Sequence, residues 1–112
     1  MRVCGFWPRG QVDPAYYDDL RSSVPALILS GELDPVTPPA WGQRVASHWK
    51  NSRHVIVPGA GHGAAGSGCV MKLMREFLNR GSAANLNVDC VQRVERPPFF
   101  LGPSGPDPQG KQ

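Results

Sequence analysis

The stretch Gly31-Glu32-Leu33-Asp34-Pro35-Val36-Thr37-Pro38-Pro39 decides how this chain is read, together with Gly59-Ala60-Gly61-His62-Gly63. An apolar run from Val24 to Leu29 feeds the first stretch, and a shorter run from Val55 to Val57 feeds the second. Each run ends in a turn rich in glycine or proline that carries an ionisable residue. A helical pattern lies between them. The order is therefore strand, loop with Asp34, helix, strand, loop with His62. In an open parallel sheet the loops at the carboxyl ends of neighbouring strands lie side by side, and such folds place their chemistry at that edge. Asp34 and His62 are thus expected to meet despite their separation in sequence. A carboxylate holding an imidazole is the orienting half of a Ser-His-Asp triad.

Working outward, Val24 to Ser30 reads as a buried strand closed by Gly31. Its apolar residues run almost without alternation, which suits a parallel strand covered on both faces. Thr37-Pro38-Pro39 reads as a helix start. Threonine can cap free amides, and proline at the first helical position lacks an amide that would go unbonded. Trp41, Val45 and Trp49 follow at a spacing of four with Ala46 alongside, and the two tryptophans are read as core. Asn51-Ser52 ends this helix, and His54 to Val57 is a short β-branched strand stopped by Pro58-Gly59. Val70, Leu73, Met74, Phe77 and Leu78 form a full apolar stripe on a second helix, with Ser67 as its cap and Gly81 as its stop. Before all this, Tyr16, Tyr17 and Leu20 are expected to pack as one helical turn. After it, Val91 to Val94 is expected to be extended. From Pro97 the Pro/Gly-rich composition cannot bury a core, so 97–112 is expected to be a disordered tail after one segment spanning 1–96.

The 112 residues suffice for one small domain. Hydrophobic content of 40% allows a modest core, and Gly 13 with Pro 12 demands many turns. The net charge of +3 comes from scattered basic residues with no run among them, which argues against nucleic acid as a partner. No apolar run is long enough for a membrane span, and the first residues lack a signal-peptide core. Read as a whole protein, the chain would stay in the cytosol. Read as part of a longer one, its compartment is set elsewhere. Cys4, Cys69 and Cys90 form no C-x-x-C pair and no zinc spacing. They are free thiols in a reducing compartment; in an oxidising one, two can pair and one is left over. His48 and His54 read as surface or strand-edge residues. Glu32 reads as solvated loop, with contact to a substrate amine as the sharper alternative. Taken alone, Asp34 is an ordinary Asp-Pro turn residue and His62 an ordinary loop histidine; the flanking strands favour acid and base.

These residues resemble the C-terminal end of α/β-hydrolases, and within them the tripeptidyl-aminopeptidase-like (TAP-like) branch related to proline iminopeptidases. The matching text is Val24-Pro25 with its strand, Gly31 to Pro38, Pro58-Gly59-Ala60-Gly61-His62-Gly63, Gly68-Cys69, Phe77-Leu78, Gly81-Ser82 and Asp89-Cys90-Val91. Cys4 and Trp7-Pro8 also look like the approach to this region. The resemblance spans about residues 4 to 99. It implies an α/β fold, here the last two parallel core strands with flanking helices, incomplete as a stand-alone domain. It implies Asp34 as catalytic acid, His62 as general base, and a Cys69–Cys90 disulfide that leaves Cys4 odd. It implies no cofactor and no metal, a peptide substrate, and a secreted or periplasmic intact enzyme.

The family's nucleophile sits in a G-x-S-x-G elbow, a strained strand-to-helix turn. Gly66-Ser67-Gly68 comes nearest, but its outer positions are Ala65 and Cys69, and Ser67 follows His62 instead of preceding the acid. The expectation is an acid-and-base segment of a serine peptidase that is inactive alone and completed by an N-terminal part of the fold. The alternative is a non-enzymatic remnant or docking module.

Overall fold

Two six-residue strands lie side by side: β1, Ala26–Gly31, and β2, Ser52–Val57. They run parallel, in register from Ala26 opposite Ser52 to Gly31 opposite Val57. A parallel pair needs a crossover, and the chain supplies a helix for it. The computed structural model describes residues 3–95, 99–100, 102–103 and 105. In chain order its helices are α1, Val3–Phe6, α2, Pro39–His48, and α3, Val70–Arg80. Short 3-10 turns occur at Pro14–Tyr17, Ala64–Gly66 and Asp89–Arg93.

Side chains alternate across a strand, so each face of the pair can be assigned. Val55 and Val57 of β2 join Ala64, Val70, Leu73 and Val91 in the core, with Leu27 and Leu29 of β1 packed against them. This is the α3 face. Val57, Val70 and Val91 are fully buried, and each such burial stabilises by roughly 1.5–3 kcal/mol. The disulfide Cys69–Cys90 ties the start of α3 to the turn that inserts Val91, with the two Cα atoms 6.3 Å apart.

The other face is covered by α2, and the seam there is polar. His54 Nε2 and Ser30 Oγ hydrogen-bond at 2.9 Å across the two strands. Gly42 of α2 sits directly over them: a Cβ at that position would lie 2.5 Å from His54 Nε2 and 2.7 Å from Ser30 Oγ. Ser52 Oγ donates to Trp49 O at 2.8 Å and lies 3.4 Å from Ala46 O. Small residues four apart, Gly42 and Ala46, therefore form the docking face of α2. Trp41 and Val45 point away, and Trp41 is 60% exposed. This corrects the reading of Trp41 as core. Close backbone approach under a glycine decides which face of the helix docks, and the large residues are excluded from it. Trp49, just past the helix end, is half-buried, and its indole N–H donates to Leu20 O at 2.9 Å.

Other expectations are corrected for local reasons. β1 is half-buried over 26–29 instead of covered on both faces, because among the described residues it has a single strand neighbour. The turn Pro14–Tyr17 forms, with Asp13 Oδ1 accepting the Ala15 N–H at 2.8 Å, but Tyr16, Tyr17 and Leu20 are exposed. The lead-in is held by polar contacts instead, Arg44 Nε and His48 Nε2 reaching Asp19 at 2.8 and 3.1 Å. In α3, Leu78 is 73% exposed; at 3.6 residues per turn it lies about 80° around the helix from Val70, at the margin of the stripe. Ser67 does not cap α3: the cap position is Cys69, and Ser67 contributes only its carbonyl to the Val70 N–H at 3.0 Å. Gly81 does end the helix, left-handed at φ 60°. Val91 to Val94 is not extended. Asn87 Oδ1 accepts the Asp89 N–H at 2.9 Å and starts the 3-10 turn that carries Val91 into the core. Most of the expected tail lies outside the described residues, as does the side chain of Cys4; within the tail, Gly102 and Gly105 form an antiparallel bridge.

Two outcomes follow from this arrangement. Open strand edges and exposed Trp41, Val45, Leu78, Tyr16 and Tyr17 favour pairing between copies. Sedimentation velocity is expected to show concentration-dependent association of the chain at neutral pH; a monomer with a sharp reversible melt would contradict this. Burial holds the His54 imidazole below its ordinary range, so the unfolded chain binds the proton more readily. The stability from neutral His54 is full above the ordinary histidine range and is lost as pH falls through and below it. Denaturation at pH 7.5 and pH 5.5 is expected to show this loss, and His54→Gln is expected to reduce it.

Candidate functional site

Parallel pairing sends the loops that follow β1 and β2 off the same edge of the sheet. Backbone hydrogen bonds then lace them together. The Glu32 N–H donates to Val57 O at 3.0 Å, and the Leu33 N–H to Ala60 O at 2.9 Å. The Glu32 carboxylate accepts the Gly59 N–H at 2.8 Å. Glu32 was read as solvated loop. Its side chain is exposed but engaged, and it braces one loop against the other. Gly31 makes the approach possible: a Cβ there would collide with the carbonyl oxygen of Gly61 and lie 2.6 Å from that of Ala60. Gly59 and Gly63 turn the second loop with φ of 62° and 84°, a region that favours glycine.

Asp34 is buried in the first loop and gathers donors. Oδ1 accepts the Val36 N–H at 2.8 Å and the Thr37 N–H at 2.9 Å. Oδ2 accepts the Thr37 hydroxyl at 2.7 Å and meets His62 Nδ1 at 3.0 Å. The Thr37 N–H, ahead of the Thr37 hydroxyl, the Val36 N–H and His62, holds the carboxyl well below the usual carboxylate range against the opposing effect of burial. Asp34 is therefore ionised at neutral pH.

His62 closes the pair. Its side chain is 60% exposed, against 5% for Asp34. Nδ1 faces the carboxylate, and among the described residues Nε2 has no hydrogen-bond partner. The site thus holds an ionised acid, fixed by its own loop, and an imidazole presenting one nitrogen outward. That arrangement can orient a base and stabilise an imidazolium.

The structure brings Asp34 and His62 together and leaves the remaining candidates apart. Among the described residues no hydrogen bond joins Ser67 to His62. Ser67 instead lines an open cavity of about 290 Å³ with Pro58, Gly68, Val94 and Glu95. Cys69 and Cys90 are joined and serve the core. His48 is half-buried on Asp19, and His54 lies in the α2 seam. No group of three or more His, Cys, Asp or Glu that could hold a metal occurs among the described residues, and no described helix is long and apolar enough to cross a membrane. The residue whose part was missed is Thr37. It was read as a helix cap, yet the cap position is Pro38, without a side-chain hydrogen bond, and the hydroxyl turns back to Asp34. The signal was present: a threonine three residues after an aspartate is spaced for such a turn.

Residues 1–90 match the α/β-hydrolase family described as TAP-like protein. The chain belongs to this TAP-like family. No curated protein and no solved structure matches the chain. Membership makes the chain hydrolase-related and its fold α/β, consistent with the parallel pair and its helices. In this TAP-like chain the laced loops rest on Gly31. Gly31→Ala is expected to lower stability by about 1–3 kcal/mol, the usual effect of overpacking, and to separate His62 from Asp34. Urea denaturation reads the first, and the His62 ring resonances read the second. Unchanged values for both would contradict the role given to Gly31.

Proposed function

We propose that this chain is the acid-and-base segment of a serine hydrolase, an aminopeptidase of tripeptidyl or prolyl type. The observation that carries the reading is the 3.0 Å contact between Asp34 Oδ2 and His62 Nδ1, with His62 Nε2 open. TAP-like family membership supports the hydrolase class.

In this reading a serine from an N-terminal part of the fold approaches Nε2. His62 takes the hydroxyl proton as the serine oxygen attacks the carbonyl carbon near a peptide N-terminus. Asp34 stays ionised and holds Nδ1–H, stabilising the imidazolium. When the tetrahedral intermediate collapses, Nε2 passes its proton to the departing amine and an acyl-serine ester remains. Water then attacks the ester, His62 takes the water's proton, and returning that proton to the serine oxygen releases the acid. The Cys69–Cys90 disulfide supports a secreted or periplasmic setting for the intact enzyme.

The alternative is a docking module without activity: among the described residues no serine is hydrogen-bonded to His62, which both readings expect of the chain alone. A fluorophosphonate probe separates the readings. The chain alone is expected to resist labelling and to turn over no aminoacyl or dipeptidyl chromogenic substrate. Joined to an upstream segment that carries G-x-S-x-G, it is expected to be labelled and active, with kcat reduced about 10⁶-fold by His62→Ala. Labelling of the chain alone, lost on Ser67→Ala, would overturn the assignment of the nucleophile. An inactive joined protein would leave the docking reading.

A further inference from the structure

We infer that Thr37 is a positioning residue that selects the tautomer and orientation of His62. The inference rests on the reading of His62 as a base and extends it to a third side chain. The Thr37 hydroxyl lies 2.7 Å from Asp34 Oδ2 and 3.3 Å from His62 Nδ1. Asp34 is ionised, so its oxygens only accept. A hydroxyl has one hydrogen, and two directions are open to it.

Pointed at His62 Nδ1, that hydrogen would require a lone pair on the nitrogen. The same lone pair would then face Asp34 Oδ2 at 3.0 Å with no proton between them, and the hydroxyl oxygen would face the carboxylate at 2.7 Å. Pointed at Asp34 Oδ2, the hydrogen makes a charge-assisted bond. The hydroxyl then turns a lone pair toward Nδ1. In this second arrangement every acceptor near Nδ1 is compatible only with Nδ1–H. The ring proton is shared between Asp34 Oδ2 and Thr37 Oγ1, and Nε2 carries the lone pair that a base requires.

Thr37 also aims the acid. Its N–H and hydroxyl bond different oxygens of one carboxylate, so the plane of that carboxylate is set by a single residue. Without the hydroxyl, Oδ2 keeps only His62, a ring that is mostly exposed and carried on a glycine-flanked loop. Such a ring can turn or exchange its partner for water, and Nε2–H becomes accessible.

The test uses the whole chain with histidine rings labelled by ¹⁵N and read by magic-angle-spinning NMR, which tolerates association. The chain has three histidines, and His48→Gln and His54→Gln assign them. At pH 8, wild-type His62 is expected as a single Nδ1–H tautomer. Thr37→Val is expected to give a mixture that includes Nε2–H, and Thr37→Ser to restore the single tautomer. The His54 ring, bonded to Ser30 under Gly42 in the α2 seam, serves as the check that each variant is folded. A single Nδ1–H tautomer retained in folded Thr37→Val overturns this inference and leaves the Asp34–His62 reading intact. So does a mixture in folded Thr37→Ser, which reads independently should the valine variant fail to fold. A mixture already present in the wild type overturns both.

Discussion

The lacing of two loops at one edge of a parallel strand pair is the constraint on which the site depends. Parallel pairing alone brings the loops to the same edge. It does not bring them within hydrogen-bond distance. That closeness comes from Gly31, whose missing side chain admits the carbonyl oxygens of Ala60 and Gly61 against the end of β1. Once they are admitted, Glu32 and Leu33 bond across to Val57, Gly59 and Ala60. The second loop is then held at a fixed height, and His62 reaches an acid that its own turn has already oriented.

Asp34 shows how burial and ionisation are reconciled. A buried carboxylate is unfavourable unless donors surround it. Here four donors do so, three of them within five residues in sequence. The turn is therefore a preformed anion holder, and the imidazole is its fourth donor. The histidine is placed by the acid more than the acid by the histidine. This asymmetry explains why His62 can remain exposed, with a nitrogen facing outward, while its partner is almost sealed.

The two faces of the strand pair are held by different means. On one, valines and leucines of β2, α3 and the turn after it form a small apolar core, with a disulfide closing that turn against the helix. On the other, α2 rests on a histidine–serine pair through Gly42. The first face supplies burial; the second trades burial for close approach and leaves Trp41 and Val45 outward. α2 also begins immediately after the acid loop, so the way it docks sets where that loop can end.

Much of this was legible in the residues themselves. The apolar runs that end at Gly31 and Pro58, the Asp and His in the turns that follow, and the glycine that stops α3 are statements about near neighbours. Local hydrogen bonds and helical or strand period decide such features, so the order of elements could be read directly; the shared sheet edge of Asp34 and His62 followed from parallel pairing, and their hydrogen-bond distance from the close approach at Gly31. Other features belong to the tertiary structure. Thr37 chose a carboxylate over a helix end, Gly42 and Ala46 displaced a tryptophan from the seam, and Val91 entered the core on a turn instead of a strand. Each of these was decided by a competing partner or a limit on space. For Thr37 the competing partner, Asp34, is local but not periodic; for the others it lies far along the chain, as His54 does from Gly42 and Cys69 from Cys90, and periodicity carries no information about how closely such residues approach.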